Sequence, residues 1–205
     1  MKKYPFRCRY ILFHKPYGVL CQFTDTVGRR TLADFGPFPK SAYPVGRLDA
    51  DSEGLVLLTN DGLLKHLLLE PRYRHPRTYL AQVERIPTED ALAELRRGVL
   101  IEGEKTLPAR VGLLETVPAL PSRAPPIRFR RKVPTAWLKL TLSEGRNRQI
   151  RKMTAAVGHP TLRLIRIAIG PLTLGNLQPG EKREITPQEA AKLRRFVEKH
   201  SRYRS

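Results

Sequence analysis

Tyr43-Pro44-Val45-Gly46-Arg47-Leu48-Asp49-Ala50-Asp51-Ser52-Glu53-Gly54-Leu55-Val56-Leu57-Leu58-Thr59-Asn60 is the stretch around which this 205-residue chain is organised. A carboxylate-dense turn, bracketed by Gly46 and Gly54, leads into an apolar run ending in Thr-Asn. Glycine at both ends lets the backbone adopt positive φ or approach another surface closely. Asp49 stands between Leu48 and Ala50, beside Arg47, so a carboxylate is set against apolar walls with a cation near. Leu55 to Thr59 reads as a short, fully apolar strand. An acidic surface turn ahead of a core strand has the same local pattern, and the turn alone does not separate the two.

Outward from this stretch, Arg9 to His14 reads as a buried strand, turned by Lys15-Pro16-Tyr17-Gly18 into a second strand, Val19 to Phe23. Thr31 to Phe35 is at most a short helix. Asn60 or Asp61 caps a helix carrying Leu63, Leu64, Leu67 and Leu68, which Pro71 stops. Arg77 to Val83 is the next strand, with Tyr79, Ala81 and Val83 on one face, and Thr88 starts a helix that Gly98 ends. Pro118 to Pro126 is proline-rich and runs into a cluster of basic residues up to Lys132, a long surface loop. Strands resume at Thr135 to Leu142. Asn147 caps a helix through Val157, closed by Gly158, and Leu162 to Ile169 is a core strand. Thr186-Pro187-Gln188-Glu189 is a capping box that opens a last helix with Leu193, Phe196 and Val197 inward. The end, about 194–205, is a basic tail. There is no internal repeat. Strands outnumber helices, which predicts an α+β fold on a mostly antiparallel or mixed central sheet flanked by helices, with residues 1–205 as one domain of two lobes.

Charge is the dominant global feature. Thirty-eight Lys and Arg against nineteen Asp and Glu leave a net +19 and a pI near 10.6. Such an excess on a folded composition favours a polyanion, and nucleic acid before a membrane surface, because no long basic amphipathic helix dominates. No apolar run approaches a membrane span and no signal peptide is evident. Cys8 and Cys21 do not form a metal-ligand spacing and are expected to be reduced thiols in the cytoplasm. His14, His66, His75, His159 and His200 are scattered, and no phosphate-loop, dinucleotide or metal-site motif is present.

Two further strings carry chemistry. In Ser143-Glu144-Gly145-Arg146-Asn147-Arg148-Gln149-Ile150-Arg151-Lys152-Met153, helical spacing puts Ile150, Met153 and Val157 on one face and Arg148, Arg151 and Lys152 on the other. That is a solvated basic face or an anion site at a helix start. In Arg77-Thr78-Tyr79-Leu80-Ala81-Gln82-Val83-Glu84, Tyr79 reads as core or as chemistry.

With Gly-Arg-Leu-Asp and Leu-Leu-Thr-Asn-Asp-Gly around Asp49, these strings resemble, in order, the motifs of the RsuA-type RNA pseudouridine synthases. Phe-His-Lys-Pro-Tyr-Gly-Val-Leu at the start and Leu-Gln-Pro-Gly-Glu-Lys-Arg-Glu near the end extend the resemblance over nearly the whole chain. The resemblance implies a pseudouridine synthase-like fold with a cleft between two lobes. It implies Asp49 as catalytic carboxylate, Arg151 as the cation paired with it, and Tyr79 packed on a flipped base. Periodicity does not separate Arg151 from Arg148; that assignment comes from the resemblance. Arg77 stands where relatives carry Lys, keeping charge but not geometry, and Ala50 stands where a basic residue is common. Arg47, Arg77, Arg146, Arg148 and Lys152, with the loop cations Arg128, Arg130, Arg131 and Lys132, are the expected RNA contacts. No S4 RNA-binding extension precedes the first motif. That absence, with Gln-Phe-Thr-Asp and Pro-Pro-Ile-Arg, points to members acting on large-subunit (23S) ribosomal RNA. Isomerisation of uridine needs neither cofactor nor metal, and a cytoplasmic monomer is expected. The rival reading is a non-catalytic ribosomal RNA-binding or assembly protein, which the charge fits equally well.

Overall fold

A computed structural model describes residues 8–127 and 133–202. In chain order its strands and helices are β1 (Tyr10–Lys15), β2 (Tyr43–Pro44), β3 (Glu53–Thr59), α1 (Gly62–Leu69), β4 (Arg77–Glu84), α2 (Glu89–Arg97), β5 (Leu100–Ile101), β6 (Glu104–Lys105), β7 (Arg110–Leu113), β8 (Thr135–Leu142), α3 (Gln149–Ala156), β9 (Thr161–Ile169), β10 (Leu172–Thr173), β11 (Lys182–Glu184) and α4 (Pro187–Arg202). The expected α+β fold on a mixed sheet flanked by helices is what forms. The sheet runs β11-β1-β3-β9-β4-β8-β7, with β10 added to β9 and β2 to β3. Within it every pairing is antiparallel except β3 with β9, which meet in parallel at Glu53–Ile165 and Gly54–Arg166.

Alternation along the strands sorts the core into two faces. On one, Leu12, Leu55, Leu57, Leu80 and Ile165 pack beneath α1 and α4, through Leu64, Leu68, Leu193 and Val197. The other face holds two clusters. Ala81, Val83, Leu138 and Leu140 take Leu92 and Leu95 of α2 and Ile150 and Met153 of α3. Phe13, Val56 and Leu58 take Leu32 and Leu48 from the segments that cross them. Tyr79 packs against both of these clusters and so sits where they meet.

Local signals form as read at several points. Asp61, not Asn60, caps α1 by accepting from the Leu64 N–H at 3.0 Å. Thr88 caps α2, and Thr186 exchanges capping-box bonds with Glu189. Two expectations are corrected. Val19 to Phe23 is not a strand beside β1; both edges of β1 are already taken, by β3 and by β11, and Leu20 only bridges to Thr31. Asn147 does not cap α3. The helix begins at Gln149, after Arg148 has taken a left-handed conformation (φ 50°) with no side-chain cap.

Candidate active site

The Asp49 loop leaves β2 and returns into β3 within eight residues, and it is braced at each end. Gly46 has φ 73°. At the other end Gly54 has φ 104°, and a Cβ there would lie 2.3 Å from the Arg166 carbonyl oxygen and 2.7 Å from its nitrogen. The close parallel approach of β3 and β9 therefore requires glycine at 54. Between these points the Asp49 carbonyl accepts from the Ser52 N–H at 3.0 Å, and the Ala50 carbonyl accepts from the Gly18 N–H at 2.7 Å.

Beneath the loop lies the fully buried Lys15. Its Nζ donates to the carbonyls of Val19 (2.7 Å), Pro16 (2.9 Å) and Ala50 (3.3 Å), tying the Lys15–Gly18 turn to the Asp49 loop. Burial pushes its ammonium down to about 8, against the pull of neighbouring acidic groups. Glu53, also buried, accepts from Arg163 through both carboxylate oxygens at 2.8 and 2.7 Å. Breaking such a pair leaves an uncompensated charge in the core.

The carboxylates of the loop divide their partners. Asp51 accepts from Arg148 Nη1 and Nη2 at 3.0 and 2.7 Å, and Arg151 Nε lies 3.4 Å from it. Arg151 also donates to the Asp51 backbone carbonyl at 2.7 Å and to that of Thr161 at 3.2 Å. Burial pushes the Asp51 carboxyl up, but the Arg148 hydrogen bonds and the charges of Arg151 and Arg148 outweigh it and hold it below its usual range. Asp49, with a side chain 38% exposed, has Arg148 Nη1 at 3.8 Å. Arg151 thus makes its direct contact with Asp51, and Arg148 is the arginine nearer Asp49, while the Asp49 charge still acts on Arg151. The physical cause is the left-handed turn at Arg148, which lets that side chain reach the loop from ahead of the helix rather than from its face.

Asp49 and Tyr79 line one cavity of about 650 Å³, together with Arg47, Arg77, Arg146, Arg148, Ile150 and Arg166. Asp51, Arg151 and Lys152 are not among its lining residues. Arg77 is held there by donating to the Leu68 carbonyl at 3.3 Å, and burial pushes its guanidinium down. Arg146 lies 3.3 and 3.4 Å from Glu104 and Glu144. Lys152 faces away and donates to Glu102 at 2.7 Å. Arg128, Arg130, Arg131 and Lys132 lie outside the described residues.

Sequence reading misses Arg166 and Ser52. Arg166 is buried at the cavity floor, donates from Nε to the Leu55 carbonyl at 2.7 Å, and has no hydrogen-bond partner for Nη2 among the described residues. An arginine inside the apolar run Leu164 to Ile169 is the signal that identifies it. Ser52 also lines the cavity, and its buried Oγ likewise has no partner among the described residues. Among the described residues no group of three or more His, Cys, Asp or Glu side chains is arranged to hold a metal ion, and no described helix is long and apolar enough to cross a membrane.

The model of the RNA pseudouridylate synthase family matches residues 9–156, a span that includes the Asp49 loop, Tyr79 and both arginines. The chain belongs to this family. Ribosomal large subunit pseudouridine synthase E of Vibrio vulnificus is 55% identical over 176 residues, 86% of this chain and 74% of that one. The protein of the same name from Xanthomonas campestris is 54% identical over 175 residues, 84% of this chain and 93% of the relative. A crystal structure of a pseudouridylate synthase superposes with a TM-score of 0.77 at 31% identity, covering 93% of this chain and 75% of that one. The RsuA-type resemblance therefore stands, and the protein is an RNA pseudouridine synthase, an isomerase. In such an enzyme a cleft lined by several cations, with the Asp49 carboxylate and Tyr79 in one cavity, has the elements needed to hold a nucleotide turned out of its helix.

Proposed function

We propose that this synthase isomerises a uridine of large-subunit (23S) ribosomal RNA, with Asp49 as the catalytic carboxylate acting on a flipped-out nucleotide. The observation that carries this reading is the position of Asp49. It is partly exposed, lines the same cavity as Tyr79, and has Arg148 at 3.8 Å. Asp51, by contrast, is engaged in a bidentate bond and is absent from the lining. The cavity lies within the range of about 300–1,000 Å³ usual for small-ligand clefts. The large-subunit substrate is supported by the names of relatives more than half identical to this chain.

In the reaction the N1–C1′ bond breaks, the uracil turns, and C5 bonds to C1′; the C5 proton leaves and N1 gains one. Asp49 acts either as nucleophile or as base toward C2′. Tyr79 presents its ring to the base, and Arg47, at the rim of the cavity, holds a phosphate or fills the space the nucleotide vacates. Arg151 is a positioning residue that fixes the loop through the Asp51 carbonyl. The chain works as one catalytic domain, a monomer in the cytoplasm. The test is tritium release from C5-labelled uridine in transcribed large-subunit ribosomal RNA. Turnover supports the reading; tight binding without release is what a non-catalytic RNA-binding protein would give.

A further inference from the structure

Beside the active-site cavity lies a second one, of about 850 Å³. Gly46, Arg47 and Leu69 line both, so the two form a continuous trough with Arg47 on the ridge between them. The outer groove has aromatic walls, Phe23, Phe38 and Tyr43, and three cations, Lys40, Arg47 and Lys65. None of its lining residues carries a carboxylate. The active-site turn next to it, by contrast, crowds acidic residues together.

The walls are preorganised. Phe38 is wedged edge-on between Phe13 (ring centroids 5.7 Å) and Phe23 (5.5 Å). Tyr43 is fixed at the backbone by pairing with Thr59 of β3, yet its side of the strand is open and the residue is 55% exposed. The Lys65 ammonium stands 5.6 Å from the centroid of the Tyr43 ring. An exposed ring on a paired strand, with a cation over it and in a groove of one sign of charge, matches what single-stranded nucleic acid uses. Bases stack on the ring without regard to sequence while cations follow the backbone.

We infer that this groove is a second RNA subsite, in which an unpaired nucleotide of the same substrate strand stacks on Tyr43 with its phosphate beside Lys65 and Lys40. The inference rests on the function proposed above. Extruding a uridine unstacks its neighbours, and a platform one ridge away captures one of them. Such a contact offsets part of the unstacking energy and biases the enzyme toward loops and bulges over continuous duplex.

The experiment is equilibrium binding of transcribed large-subunit ribosomal RNA to the full chain and to Tyr43→Ala, Tyr43→Phe and Lys65→Gln, across a salt series, with tritium release recorded for the wild-type protein. Tyr43→Ala is expected to weaken binding about 5- to 150-fold, the range of one lost base stack, without changing the salt slope. Tyr43→Phe keeps the affinity, which also shows that the position tolerates substitution. Lys65→Gln lowers the slope of log K against log salt by about one. Binding by Tyr43→Ala within twofold of wild type overturns the subsite, as does a Tyr43→Phe protein as weak as the alanine variant. If the wild type binds in a Tyr43-dependent way but releases no tritium, the subsite stands and the proposed reaction fails. If it releases tritium while binding does not depend on Tyr43, the reaction stands and the subsite fails.

Discussion

Arg148 is the residue on which the active-site electrostatics turn. Its guanidinium is shared unequally, with two short bonds to Asp51 and a 3.8 Å approach to Asp49. Arg148→Met removes the bidentate donor that helps hold the Asp51 carboxyl below its usual range. Asp51 should then take up its proton, and the loop lose its brace, at higher pH; the acid limb of the pH–rate profile should move up with it. Arg151→Met instead loses donors to the Asp51 and Thr161 carbonyls. It should lower the single-turnover rate at every pH with a smaller shift of that limb. A profile that moves more in Arg151→Met would reinstate the pairing read from the resemblance. Tyr79→Phe keeps the ring and removes the hydroxyl. A rate loss of about 10²–10⁴-fold assigns the hydroxyl to proton transfer, and an unchanged rate leaves Tyr79 as a stacking surface.

The β3–β9 junction and the Lys15 anchor hold the loop, and each can be tested as an element. Gly54→Ala has no room, since Arg166 backbone lies where the Cβ must go and φ is positive. Overpacking and strain together should cost about 3 kcal/mol, read as a lower urea midpoint. Lys15→Met takes the ammonium donor from the Pro16 and Val19 carbonyls and the weaker of two donors from that of Ala50, and should cost about 2 kcal/mol or more. The pH response has a definite sign. Lys15 titrates at about 8 in the folded chain and near 10.4 when unfolded. Between those values the unfolded state holds a proton the folded state has released, so this group makes stability rise with pH across that window. Lys15→Met should lack that rise. These elements are unequally legible in the sequence. The Asp61 and Thr88 caps and the Thr186 box depend on neighbours in sequence, and each is readable from a few residues; Gly54 is readable as a close-approach glycine, but the strand that approaches it, at Arg166, is not. The pairing of β1 with β11 joins Ile11 to Glu184, a contact no local pattern announces, and it displaces the expected hairpin partner at 19–23. The left-handed turn at Arg148 follows a residue, Asn147, that reads as a better cap. Periodicity therefore locates the helix but misplaces its first turn, and the arginine pairing shifts with it.

Across the whole molecule, a net charge of +19 is distributed unevenly. Carboxylates take up Arg146 and Lys152 near α3, through Glu104, Glu144 and Glu102, whereas the outer groove, lined by Lys40, Arg47 and Lys65, has no carboxylate in its lining. Composition announces a polyanion partner but not which cations face it, because that depends on where the few acidic residues fold. In the function proposed above, one carboxylate of this basic chain does chemistry while its neighbour two residues away holds the loop. That division of labour is read out by pseudouridine formation in transcribed large-subunit ribosomal RNA, under single turnover at saturating enzyme, by Asp49→Asn and Asp51→Asn. Asp49→Asn should form no product above background while still binding RNA, and Asp51→Asn should be slowed but active. An Asp49→Asn rate within tenfold of wild type, or loss of all activity in Asp51→Asn alone, would place the chemistry elsewhere than on Asp49.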